Sequence, residues 1–263
     1  MNTKLKLLFV SLMICFSGKG FAQEEKVTDY FNEMKNHDLS VVITAKLLTD
    51  DGGETTFERK PIIGFLGDNY QRLHVHFISV IKNPNSPYEY LAYGKTKAGN
   101  NICAFQGVIK IVEAKLYVKD EERDEFPEYK QGYTVCEVLL FEDGKENSTG
   151  FFKGKLKSWF SIDSKGFFDY DALMAGADIF YNNQFAGSWT SYKTNSSKKC
   201  HWGDEQVHED GDFGGGIGEF QINPKYLNNG WSNYNAAYHY SAGGESQKKA
   251  LEKEREKWWN NDK

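Results

Sequence analysis

The sequence predicts an all-β, mainly antiparallel protein: a meandering barrel or sandwich of about eight or more strands, with a short N-terminal helix and a charged C-terminal helix. Three observations carry that expectation. Apolar and polar residues alternate along many segments, turn-forming residues separate those segments, and little helical periodicity lies between them. An open sheet of that many strands leaves two unpaired edges, so closure into a barrel, or a second layer, is expected.

The elements follow in order. Residues 1–22 read as an export signal: Lys4 and Lys6 start it, Leu7 to Phe16 form a ten-residue apolar run, and Gly20-Phe21-Ala22 supplies the cleavage site. Ten residues make about 15 Å of helix, half a bilayer core, so a retained anchor is not expected. No later segment is apolar for long enough to cross a membrane. The product is placed in the periplasm or outside the cell, with residues 23–244 as a single β domain and 245–263 as a charged helix or tail.

Val27, Tyr30, Phe31 and Met34 fall at helical spacing. Leu39, Val41, Ile43, Ala45 and Leu47 then alternate as a strand would. Further strands are expected at 57–66, 70–82, 88–96, 102–118, 133–142 and 185–194. The clearest sets Phe152, Gly154, Leu156, Ser158, Phe160 and Ile162 against Lys153, Lys155, Lys157 and Trp159, one dry face and one wet. The segment 169–181 reads as a helical interruption, because Ala172, Leu173, Ala175 and Ala177 are poor strand formers. Residues 245–261 form the terminal helix and finish in Trp258 and Trp259, which either dock it on the barrel or leave it as a tail.

Beyond the expected signal, Phe-x-Gly occurs five times, at Phe65, Phe105, Phe152, Phe185 and Phe213. Composition alone predicts roughly one or two. Glycine in a strand permits the sharp coiling of a small barrel, and an aromatic two residues away shares its face. The pattern is architectural.

Forty per cent hydrophobic and 26 per cent charged residues describe an ordinary globular chain. The net charge of −5 becomes three units more negative once Lys4, Lys6 and Lys19 leave with the signal. An acidic chain lacks the clustered cations that a nucleic-acid partner requires. Cys103, Cys136 and Cys200 remain, giving one disulfide and a free thiol or three free thiols.

Chemistry-bearing constellations are few. The densest runs from Cys200 to Asp212, where His201, Asp204, His208, Asp210 and Asp212 offer ligands for a divalent metal. His74 and His76 share a strand face as the His-x-His of cupins does, but the glutamate that follows there is absent and Arg72 adds a repelling charge. Gly187-Ser188-Trp189 matches the Gly-x-Trp that opens lipocalin barrels, yet it lies two-thirds of the way along the chain and assigns no family. No nucleophile elbow or phosphate loop is present. Tyr226, Trp231, Tyr234, Tyr238 and Tyr240, among Asn and Gly, suit a stacking surface for sugars.

The expected function is that of an exported, non-enzymatic barrel binding a small amphipathic or sugar-like ligand, or a protein partner, through Trp189, Trp202, Trp231 and Tyr234. One alternative is an extracytoplasmic hydrolase of glycan or peptide using a metal or acid/base site in the 200–212 loop. Another is a structural surface-assembly component that self-associates through its terminal helix. No organic cofactor is expected; a divalent metal belongs to the hydrolase alternative.

Overall fold

The computed structural model describes residues 26–50, 55–118, 125–177, 180–207, 211–214, 220–238 and 243–260. The expected export signal, Cys15, His208, Asp210 and Tyr240 lie outside the described residues. The strands are β1 (Val27–Asp29), β2 (Leu47–Asp50), β3 (Thr55–Glu58), β4 (Ile63–Leu66), β5 (Gln71–Lys82), β6 (Glu89–Ala98), β7 (Asn101–Tyr117), β8 (Lys130–Glu142), β9 (Gly150–Ile162), β10 (Phe168–Tyr170), β11 (Asn182–Ser191) and β12 (Ser197–Asp204). Three helices, α1 (Ser40–Ile43), α2 (Ser232–Tyr238) and α3 (Gly244–Glu254), accompany them.

Eight strands close into a barrel in the order β4, β5, β6, β7, β8, β9, β11, β12 and back to β4, every neighbour antiparallel. The closing seam pairs Cys200 with Leu66 and Gly203 with Ile63. Closure removes the two unpaired edges, so the barrel is realised and the sandwich is not. Among the described residues, no helix is long and apolar enough to cross a membrane.

The interior is a packed core. Phe105, Phe152, Phe185 and Trp202 are buried to within 2 % of full occlusion, and the ring of Phe185 stacks on Trp202 at 3.7 Å. The Phe-x-Gly pattern accounts for much of that packing. Gly154 and Gly187 sit opposite each other in register, and a Cβ on either would come within 2.8 Å of the Phe185 ring. The barrel coils tightly at these positions because the ring occupies the space a side chain would need.

Both ends are closed. At the end where β12 finishes, α1 plugs the mouth. Leu39, Val42 and Ile43 point into the core from helical spacing while Val41 stays exposed. This corrects the expected strand at 39–47: the buried positions follow a period of three to four, and only Leu47 onward is extended. At the other end, buried Glu142 accepts hydrogen bonds from the Thr96 hydroxyl at 2.6 Å, Trp189 Nε1 at 2.8 Å and the Gly150 amide at 3.0 Å.

Other boundaries also shift. The first segment is β1 followed by a 3-10 turn at Phe31–Asn36. The expected strand at 57–66 is two, β3 and β4, broken around Pro61, which has no amide to donate. The helix expected at 169–181 is absent from the described part of that segment, where β10 leads into turns with Ala175 bonded to Ala172 and Ala177 to Met174. The three cysteines are free and buried inside the barrel.

Residues after β12 wrap the outside. A second cluster of Ile63, Phe65, Tyr70, Phe213, Ile222, Trp231 and Tyr234 packs this segment on the outer faces of β4 and β5. The terminal helix docks too: Arg72 pairs with Glu254 at 2.9 Å, and Trp259 stacks on His76 at 3.6 Å.

Candidate functional site

Three of the expected ligand contacts are structural in their placement, and two of the three lie on the barrel's inner wall. Trp202 is in the barrel core, and Trp189 reaches the floor to bond Glu142. Trp231 is fully buried in the outer cluster, its Nε1 donating to the Tyr70 carbonyl at 2.7 Å. With Tyr234 it brackets the Arg72 guanidinium, at 4.3 and 4.7 Å from the two ring centres. The four do not form one surface.

The described members of the candidate metal set are also apart. The run from Cys200 to Asp204 belongs to β12 and is not a loop. Strand alternation therefore sends His201 outward, where it stacks on Phe65 at 5.2 Å, and Asp204 inward. Asp204 Oδ1 accepts from Arg59 at 2.6 Å, and its Oδ2 from Asn183 at 2.9 Å and the Tyr170 hydroxyl at 3.1 Å. Arg59 also donates to the carbonyls of Ile43 and Ala45, and Asn183 to that of Val42, so this carboxylate ties the plug to the barrel. Asp212 pairs on the surface with Lys225 and Tyr226. Among the described residues, no three His, Cys, Asp or Glu side chains are grouped to hold a metal ion.

Burial pushes the Cys103 thiol up to about 11 and Cys136 to about 12, and holds Cys200 well above the usual thiol range. All three keep their protons and are not activated nucleophiles. His74 and His76 lie under the terminal tryptophans, with pKa lowered to about 3 and about 4 by burial and by nearby cations.

Among the described residues, a space of ligand size lies outside the barrel. A groove of about 390 Å³ runs between the plugged mouth and the C-terminal helices. Phe180, Phe220, Tyr234 and Tyr238 give it aromatic walls, Gln206 and Gln247 give it amides, and Lys60 and Glu205 a charged pair at 2.6 Å.

No family model, curated protein or solved structure matches this chain.

Tyr238 is the most informative residue of the groove. Its hydroxyl is buried and has no hydrogen-bond partner among the described residues. It borders both the groove and an adjoining small recess of about 10 Å³, where Glu205 and Glu254 also stand. Burial, with Glu254 nearby, pushes its pKa up to about 12, so the group is a neutral donor. A buried hydroxyl left unbonded costs about 1–3 kcal/mol, which is consistent with a polar partner at this wall. Sequence reading placed Tyr234 and Tyr238 in an aromatic stretch and Glu205 in the polar run from Cys200 to Asp212, did not join Glu205 to those tyrosines, and missed Lys60 and Gln247. Lys60, Glu205 and Gln247 come from distant parts of the chain, and no local pattern joins them.

Proposed function

We propose that this is an exported, non-enzymatic binding protein that takes a small, sugar-like ligand in the external groove, not inside the barrel. The observation that carries the reading is the groove itself: about 390 Å³, within the usual range for small-ligand sites, with aromatic, amide and charged walls, beside a barrel whose interior is filled by its own side chains. Sugar rings present C–H faces that pack on Tyr and Phe, and hydroxyls that pair with amides and carboxylates. Of the four aromatic contacts expected from sequence, Tyr234 is the one that lines this groove.

A glycan panel followed by isothermal titration calorimetry tests this. Binding should appear for the chain and weaken about five- to tenfold in Gln247→Ala and Tyr238→Phe, the loss of one hydrogen bond each. Absence of any glycan binding, or binding indifferent to both substitutions, overturns the reading.

A further inference from the structure

The C-terminal segment covers the outer barrel wall over β4 and part of β5, but among the described residues the wall formed by the far end of β5 and by β6, β7 and β8 is left open. Ile81, Leu91 and Leu139 stand on it with 60, 51 and 37 % of their surface exposed. They are neighbours: Ile81 pairs with Leu91, Leu91 with Val108, and Val108 with Leu139. In the next row, Tyr93 faces Gln106, Gln106 faces Phe141, and Phe141 faces Phe151. Tyr93 and Phe141 are each 44 % exposed. Register thus gathers these side chains into one apolar patch, of the kind that marks an interaction surface on a folded monomer.

The charges beside the patch select its occupant. The adjacent row reads Glu89, Lys110, Glu137, Lys155 across β6 to β9, alternating in sign. A two-fold axis parallel to the strands, between β7 and β8, turns that row end for end over itself. Glu89 then meets Lys155 of the second copy, and Lys110 meets Glu137, each contact made twice. The same rotation lays Val108 over Leu139, Tyr93 over Phe151 and Gln106 over Phe141, and sets Leu91 against Lys153, whose alkyl stem can pack on it while its ammonium reaches solvent. A surface that complements itself under one rotation is what an isologous dimer requires. A bilayer fits it poorly, because membrane barrels are apolar outside and polar within, whereas Lys153 and Lys155 stand on this wall and aromatic rings fill the interior.

We infer that the open wall of β5–β8 binds a second copy of this chain, with the apolar patch at the centre and the alternating charges setting the register. The inference is independent of the ligand groove, which lies on the other side of the C-terminal helices' docking site.

Sedimentation equilibrium on the full chain from an exporting host tests it. Wild type should be a dimer at micromolar concentration. Leu139→Arg should raise the dissociation constant about 30-fold or more, as loss of a central apolar contact does. Lys110→Glu places like charges together twice and should weaken association about tenfold. Mixing Lys110→Glu with Glu137→Lys, two chains that each carry a like-charged pair of their own on β7 and β8, sets opposite signs at both contacts across the axis and should recover association as a heterodimer. That rescue separates pairing between copies from general damage to the fold. A monomeric wild type, or a dimer indifferent to these substitutions, overturns the inference and leaves the wall to another occupant.

Discussion

A single carbon atom decides the geometry at Gly154 and Gly187. A Cβ at Gly154 would lie 2.4 Å from the Ala186 carbonyl oxygen and 2.7 Å from the Gly187 Cα. Neither is the movable tip of a side chain, so the strands must separate. Gly154→Ala should therefore destabilise the fold by about 3 kcal/mol, at the upper end of overpacking costs. Gly176, with open space around it, should accept Ala with little change. Urea denaturation of the two variants checks the contrast, and equal midpoints would refute it. The Phe-x-Gly pattern was legible in the sequence because its excess over composition is countable. Which strands the rings would press was not legible, since Gly154 and Gly187 meet only through the pairing of β9 with β11.

At the level of elements, the C-terminal helix packs on α2, with Asn233 donating to the Ala250 carbonyl and to Glu254, and is tied to the barrel by one buried ion pair and two ring contacts. Glu254 answers Arg72, and removing it leaves a buried guanidinium without its counter-charge. Glu254→Ala should cost about 3–5 kcal/mol. Limited proteolysis should then cut the segment after β12 sooner than in wild type; unchanged resistance would show that the tryptophans and the packing on α2 hold the helix without the ion pair. The ring contacts add a pH dependence. His74 and His76 stay neutral in the folded chain down to about pH 3 and 4, because burial and nearby Arg72 and Lys97, or Lys46 and Arg59, disfavour their charge. In the unfolded chain they protonate from their ordinary 6.5 downward. Between these limits the unfolded state binds more protons, so their contribution to stability is present at neutral pH and lost as pH falls from about 6.5 towards 4. Glu142, whose pKa is raised by burial, works in the opposite direction over acid pH. Melting temperature against pH should fall less steeply in His76→Gln than in wild type; parallel curves would refute the assignment. The paired tryptophans were visible in the sequence, but their docking on two histidines needed β5 to present that face outward.

For the whole molecule, closure is the dominant fact. It turns the run from Cys200 to Asp204 from an apparent metal-binding loop into the last barrel strand, and it places Asp204 against Arg59 to hold the plug. Asp204→Ala should destabilise by about 3–5 kcal/mol through the orphaned Arg59. A chelator should leave the melting temperature unchanged, and a drop of several degrees in EDTA would reinstate a structural metal. The sequence by itself determined the antiparallel class, most strand positions and the architectural use of Phe-x-Gly. Those depend on alternation and turn residues, which are local properties of the chain. Tertiary structure decided that 39–43 is a helical plug and that 200–204 closes the ring. It also turned the tryptophans into core and gathered the groove from Lys60, Glu205, Tyr238 and Gln247. Each of these depends on which strand lies beside which, and a single segment carries no record of its neighbours.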